Sequence, residues 1–357
     1  MKILLIGDFS SLHLNLKKGL MECNHEVTLF SSGDGFKKIK SDIILKRGKS
    51  KLGKFLYYYQ LISLITKFKN FDVVQLISGE VFSSKFGLNK FLIKVLKRRN
   101  KKIFLIGAGC VDTFTCDFFE HSYKYKEFYN AIKGHYNLEK LWGQTEEGRK
   151  FNKWLFDQIN GYIPIMYEYA EGHRRINNIK LKQTIAIPIK LTDFIYEDNI
   201  VRDKVVVFHG ISRREVKGTD FILEQLNKLK DTFPEKVELL IVDKVPYSDY
   251  IKFISKANIV IDQLYSVSSG VNGLIAMALG KVSLGGGEEE FLKEFSLNKS
   301  PLIPINKSKN KLFDSLSELI HNPNEICKLG KKSRKFIEDN HDAKKIAQEY
   351  ISVWNEN

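Results

Sequence analysis

The stretch NIVIDQLYSVSSGVNGLIAMALGKVSLGGGEEE, Asn258–Glu290, decides how the chain is read. It opens on a short run rich in Ile and Val, the length of a buried strand. Small polar residues follow, Ser268-Ser269-Gly270-Val271-Asn272-Gly273, and then a compact Leu/Ala/Met segment, Leu274–Leu279, of helical composition. KVSL repeats the strand signature, and three glycines with three glutamates close the stretch. Strand, helix and strand in so few residues make a β-α-β unit of a parallel sheet.

The alternation continues on the N-terminal side of this unit. VVVFHGI (Val205–Ile211) and VELLIVD (Val237–Asp243) read as strands, with helices over Thr219–Phe233 and Tyr247–Ala257. The N-terminal half repeats the pattern. KILLIG (Lys2–Gly7), HEVTLFS (His25–Ser31), FDVVQLIS (Phe71–Ser78) and KIFLIGAG (Lys102–Gly109) alternate with helical segments such as Leu14–Glu22 and Leu88–Lys102. Continuous Val/Ile/Leu strands imply sheets covered on both faces. GYIPIMYEYAEGHRR (Gly161–Arg175) reads as a strand entering a helix and QTIAIPIKL (Gln183–Leu191) as a strand, while Phe118–Gln158 is aromatic, charged and irregular. The expected architecture is α/β, two Rossmann-like doubly wound parallel-sheet domains in tandem. The polar segment Leu191–Asp203 is the linker. The domains are expected at 1–192 and 193–342, with the terminal helix 343–357 packing back on the first.

Composition agrees. The 357 residues fit two domains of about 150–200 residues. Hydrophobic content of 43% with 28% charged residues is that of a globular protein with sizeable cores. No apolar run reaches the ~18–20 residues that span a bilayer, and MKILLIG reads as a first strand rather than a leader. The four cysteines (Cys23, Cys110, Cys116, Cys327) have no metal-ligand or redox-pair spacing, so a reduced cytoplasmic setting is expected. Net charge of +15 favours anionic partners. Lys37–Lys54 is Lys/Arg-rich, Leu52–Phe71 mixes aromatics with lysines, and Leu88–Lys102 is a basic amphipathic segment. The plain reading is helices packed on a sheet with solvated lysines outward; one helix can also bury one face and offer its lysines to an anionic membrane surface. No nucleic-acid motif is present, so no specific nucleic-acid partner is expected.

In open α/β sheets ligands bind beyond the carboxyl ends of the strands. One such loop, His209–Asp220, gathers His209, Gly210, Arg213 and Lys217 before Gly218-Thr219 open a helix. Cationic side chains beside free helix N–H groups suit a phosphate; a solvated charged turn is the plain alternative. A second is Ser268–Gly273, where Ser269, Gly270, Val271, Asn272 and Gly273 bring unpaired amides and the positive end of a helix dipole to one place. Glycine, serine and asparagine also serve as ordinary caps. The third is Gly285–Glu290, where Glu288 or Glu290 can accept from sugar hydroxyls or merely complement a helix dipole.

These residues resemble the C-terminal domain of GT-B-fold glycosyltransferases, in particular family four, the "glycosyl transferases group 1" of capsule, lipopolysaccharide and exopolysaccharide clusters. Lys217-Gly218, Gly270, Leu274-x-Ala276-Met277-Ala278-x-Gly280 and the glycines before Glu288–Glu290 carry the resemblance over roughly Val205–Glu290. Both glutamates of the family's E-x7-E pattern are replaced, by Val267 and Ile275, and Arg213 stands four residues before Lys217 rather than five. Ser268, Ser269, Asn272 and Glu288 are the candidate substitutes. The resemblance implies two domains facing across a cleft and a nucleoside-diphosphate-sugar donor bound in the second half. It also implies a lipid-linked or glycan acceptor in the first and retention of anomeric configuration.

On the acceptor side, His13 after the first strand and Asp112 in GAGCVDTF (Gly107–Phe114) are the candidate catalytic groups, since each can take a proton from an attacking hydroxyl. Glu168 is a weaker candidate; Asp262 and Tyr265 either line the donor pocket or pack and cap. No Asp-x-Asp pair occurs, so no metal and no cofactor beyond the donor substrate are expected. The leading expectation is a metal-independent glycosyltransferase of bacterial surface polysaccharide synthesis, peripheral on the inner face of the plasma membrane. A catalytically silent GT-B homologue acting as an adaptor and a nucleotide-sugar 2-epimerase are the alternatives.

Overall fold

The computed structural model describes residues 1–45, 48, 50–80, 88–109, 112–307 and 311–356. Lys46, Arg47 and Lys49 of the basic run, and Cys110 and Val111 of the Gly107–Phe114 loop, lie outside the described residues. The chain divides into two compact units: Met1–Phe118 with Leu141–Pro188 and Ala343–Asn357, and Phe119–Lys140 with Ile189–Asp342.

The first unit begins with β1 (Lys2–Ile6), α1 (Leu12–Glu22), β2 (Glu26–Ser31), β3 (Ile43–Ile44), α2 (Lys51–Lys67), β4 (Val73–Leu76), α3 (Leu88–Arg99) and β5 (Lys102–Gly107). The unit boundary then falls inside α4 (Thr113–His121), and α5 (Lys126–His135) belongs to the second unit. α6 (Glu146–Gln158), β6 (Gly161–Pro164) and α7 (Tyr167–Arg175) return to the first. Its six strands run in the order β3-β2-β1-β4-β5-β6, and every pairing is parallel. Ile3, Leu4, Leu5 and Ile6 of central β1 are each 0% exposed, as a strand covered on both faces requires.

The second unit continues with β7 (Val205–Ile211), α8 (Arg214–Lys217), α9 (Thr219–Thr232), β8 (Val237–Asp243), α10 (Tyr247–Lys256) and β9 (Ile259–Ile261). α11 (Val271–Ala278), β10 (Val282–Leu284), α12 (Glu289–Glu294), α13 (Lys311–His321) and α14 (Pro323–Asn340) follow. Its four parallel strands run β10-β9-β7-β8. The winding therefore reverses between β7 and β9. Gln183–Leu191, expected as a strand, forms one isolated bridge, Ile189 with Asp342, and hydrogen bonds, among them Ile189 N–H to His341 O at 2.7 Å. That bond places Ile189 in the second unit, a few residues before the expected linker.

One further feature was not expected. Residues 119–140 leave the N-terminal half because their aromatics find partners in the second unit. Phe119 packs on Phe128 at 4.7 Å between ring centroids, and Tyr125 and Phe128 lie against the second unit's core cluster. The last helix, α15 (Ala343–Asn355), joins the first unit and packs on α1, where Gly19 leaves room for the backbone of Ala343.

α2 buries only Tyr57, Leu61 and Ile65. Leu52, Phe55, Leu56, Tyr59 and Ile62 are 68%, 67%, 46%, 67% and 45% exposed, and their spacing sets them along one side of the helix. Neighbouring α3 exposes Phe91, and neither helix contains an acidic residue. Among the described residues no helix is long and apolar enough to cross a membrane.

Candidate donor site

At the reversal between β7 and β9, the loops leaving the two strands carry most of the residues singled out from the sequence. His209 lies in β7 and is 0% exposed. Its Nδ1 bonds to Ile261 O at 2.9 Å and its Nε2 to Thr219 Oγ1 at 3.0 Å. Burial, reinforced by the Lys217 cation, lowers its pKa to about 4. His209 is thus a neutral brace joining β7, β9 and α9, not a phosphate ligand. Gly210 is likewise explained by packing, since a Cβ there would stand 2.4 Å from the Tyr250 ring.

Lys217 turns inward. It is 5% exposed, and its Nζ lies 3.2 Å from Asp262 Oδ1, while Asp262 Oδ2 accepts from Gly270 N–H at 3.0 Å. One buried carboxylate therefore ties the first loop to the entrance of α11. Gly218 turns the chain between α8 and α9 at φ 70°, a conformation that favours glycine. Arg213 stands exposed at the start of α8; its carbonyl accepts from Lys217 N–H at 3.0 Å, and among the described residues its side chain makes no hydrogen bond or ion pair.

Beyond Asp262 the chain turns through Ser268 and Ser269, both buried, to Gly270, which begins α11 without any side-chain cap. Among the described residues, the amides of Val271, Asn272 and Gly273 make no hydrogen bond. Gly270, Val271 and Asn272 are partly exposed. Three unpaired N–H groups at a helix N-terminus form a place for an anion. Val267 and Ile275, the aliphatic replacements, are 0% and 1% exposed. A carboxylate at either position would be cut off from water, so the aliphatic choice suits this packing.

The triple glycine presses one loop against the other. A Cβ on Gly286, at φ 74°, would lie 2.5 Å from the Ser268–Ser269 backbone. Glu288 follows, its N–H on Val267 O at 3.1 Å. Tyr125 Oη donates to Glu288 Oε1, and Lys124 Nζ lies 2.5 Å from Glu288 Oε2 and 2.8 Å from Glu290. Partial burial opposes the Lys124 charge, yet the two carboxylates raise its pKa above the ordinary lysine value. Tyr265 is buried, and its carbonyl accepts from Tyr123 Oη at 3.3 Å.

In the first unit the catalytic candidates are committed elsewhere. His13 is 0% exposed, with Nδ1 2.6 Å from Gly7 O and Nε2 3.4 Å from Gln75 Nε2. Gln75 Oε1 in turn accepts from Trp354 Nε1 at 3.2 Å. Burial lowers the His13 pKa to about 4. A neutral histidine with both nitrogens occupied is a link between α1, β4 and α15, so the general-base reading of His13 is corrected. Asp112 receives Thr115 N–H at 2.9 Å, Thr115 Oγ1 at 2.7 Å and His173 Nε2 at 3.1 Å. Burial works against its charge, but His173 and Thr115 hold its pKa below the usual range. Asp112 caps α4 and anchors a buried histidine. Glu168 is buried in the first turn of α7.

Sequence reasoning missed Asp8, His173, Lys124 and Tyr125. Asp8 closes on the first turn of α1, accepting from His13 and Leu14 N–H, and burial lifts its pKa to about 7 against those two amides. The Asp112-x-x-Thr115 spacing carried a capping signal that went unread. Nothing local in the sequence announces that Lys124 meets Glu288.

No family model matches the sequence, and no curated protein sequence does. Solved structures do match in fold. HepE from Anabaena, in complex with UDP and glucose, aligns with a TM-score of 0.63 at 11% identity over 100% of both chains. The fold is GT-B. An alpha-glucosyltransferase in complex with UDP and DNA aligns at 0.66 and 10% identity, covering 99% of each chain. A protein from Listeria monocytogenes provisionally assigned as a UDP-N-acetylglucosamine 2-epimerase gives 0.54 at 13% identity, over 98% of this GT-B chain and 95% of its own.

Proposed function

We propose that this protein is a glycosyltransferase that moves a sugar from a nucleoside-diphosphate donor to a lipid-linked or glycan acceptor. The observation that carries the reading is the cradle at the reversal between β7 and β9. There an uncommitted Arg213 accompanies three unpaired amides of α11, in the crevice where α/β sheets bind ligands. The UDP of HepE and of the alpha-glucosyltransferase supports a nucleotide in this fold. In the reaction, the bond from the sugar's anomeric carbon to the diphosphate breaks and a bond to the acceptor oxygen forms. Arginine and helix amides offset the charge on the leaving diphosphate. The reading is metal-independent, since the sequence holds no Asp-x-Asp pair and the arginine and helix amides can stabilise the leaving diphosphate instead. Retention, and a place in bacterial surface polysaccharide synthesis, follow the family resemblance.

The exposed apolar stripe of α2 supports work at the cytoplasmic face of a membrane. It is flanked by exposed Lys51, Lys54, Lys67, Lys94 and Lys97 with no acid on either helix. Anionic headgroups complement such a face, whereas a second copy would bring like charges together.

Thermal denaturation with UDP, GDP, dTDP and CDP tests the donor reading. One of them is expected to stabilise the protein by about 2.7 kcal/mol at a hundredfold excess over its Kd. Stabilisation by none would refute it. Release of that nucleotide from its sugar conjugate only when acceptor is added separates transfer from epimerisation, which needs no acceptor.

A further inference from the structure

The excursion 119–140 fastens the loops of the proposed donor site to one another. Tyr123, 2% exposed, threads its hydroxyl into the backbone before α11, donating to Tyr265 O at 3.3 Å and accepting from Val267 N–H at 3.2 Å. Helix α5 packs on α8, and His135 Nδ1 lies 3.2 Å from Glu215 of that helix. Between these anchors, Lys124 and Tyr125 converge on Glu288.

Glu288 has the marks of an acceptor held for use. Its backbone is bonded to Val267, at the entrance to the unpaired amides. Its side chain is 16% exposed, and the described structure gives each carboxylate oxygen one donor, Tyr125 on Oε1 and Lys124 on Oε2. A carboxylate has about four lone-pair sites, so about two remain. Val267 and Ile275 supply no acceptor of their own.

We propose that Lys124 and Tyr125 are positioning residues for the sugar end of the donor, holding Glu288 oriented to accept from sugar hydroxyls. The inference rests on the donor reading above. It makes a segment from the N-terminal half of the chain an obligatory part of the nucleotide-sugar site. Lys124 fixes the position of Oε2. Tyr125 fixes one oxygen and thereby the plane of the group.

The test is calorimetric titration of the full-length protein with paired probes: UDP and UDP-glucose, GDP and GDP-mannose, dTDP and dTDP-glucose, CDP and CDP-glucose. For the pair that the wild type binds, Tyr125→Phe and Lys124→Met are expected to weaken the sugar nucleotide at least fivefold. The bare diphosphate should change less than twofold, and Lys124→Arg should restore most of the loss. Tyr125→Phe removes a single hydroxyl, which keeps the experiment decisive if Lys124→Met fails to fold. Equal losses for both members of the pair, or no loss, overturn the inference alone. A wild type that binds no member of any pair overturns the donor reading and this inference together.

Discussion

Arg213 and Lys217 are separated by one turn of helix and are expected to respond differently to substitution. Lys217→Met removes one partner of a buried ion pair and leaves Asp262 uncompensated, a loss of about 3–5 kcal/mol in urea unfolding. Arg213→Ala, at an exposed site, should leave unfolding within about 0.5 kcal/mol of wild type. It should also weaken the nucleoside diphosphate about tenfold, the worth of one charge-assisted hydrogen bond of ~1.5 kcal/mol. Equal effects of the two on stability would contradict the burial described. The buried histidines give a second residue-scale expectation. His209 has a folded pKa of about 4 against 6.5. Between those values the unfolded chain takes up a proton that the native state refuses, so stability falls as pH drops through this window, by at most about 1.4 kcal/mol per pH unit. Asp8, raised from 3.8 to about 7, acts with the opposite sign, because the native state there binds the extra proton. Unfolding measured from pH 7 to 4 should therefore show a shallower fall for His209→Gln and a steeper one for Asp8→Asn.

At the scale of elements, the triple glycine and α2 make contrasting claims. Gly286→Ala puts a Cβ against the Ser268–Ser269 backbone at a φ that alanine disfavours. It should cost about 1–3 kcal/mol and weaken nucleotide binding together, because the turn it displaces carries the α11 amides. The α2 stripe carries no such internal load. Phe55→Ser with Tyr59→Ser should leave the melting temperature unchanged and reduce co-sedimentation with phosphatidylglycerol vesicles at least tenfold, given ~1.5–3 kcal/mol per buried aromatic. Vesicles of phosphatidylcholine alone should bind weakly in both cases. The mixture of aromatics and lysines over Leu52–Phe71 was legible in the sequence. Which apolar residues face outward was not, since Tyr57 and Tyr59 differ only in the direction the helix gives them.

For the whole molecule, both parallel sheets could be read from the Val/Ile/Leu runs, and the crevice between β7 and β9 from its glycines and serines. Pairings distant in sequence could not. Lys217 meets Asp262 across 45 residues and Tyr125 meets Glu288 across 163, and neither spacing has a local signature. His13 at a strand end looked available because the sequence does not encode the Gln75 and Trp354 side chains that enclose it. The same long-range contacts make the termini interdependent. α15 buries Ile346, Tyr350, Val353 and Trp354, and side chains of this size contribute about 1.5–3 kcal/mol each. Their sum rivals the ~5–15 kcal/mol that holds a typical domain folded. A chain truncated after Asp342 should therefore lose protease resistance throughout 1–118 and 141–188 while 189–342 stays protected.

The return of α15 to α1 also sets a calendar for biosynthesis. Ribosomes deliver domains from the N-terminus at ~5–20 residues per second, and most domains fold as they emerge. Here the unit that is translated first lacks a wall until residues 343–355 arrive, whereas the unit translated later holds all its pieces at residue 342. The half made first is completed last. For on the order of ten seconds or more β1 and its neighbours wait with an open apolar face, a window in which a chaperone can hold them.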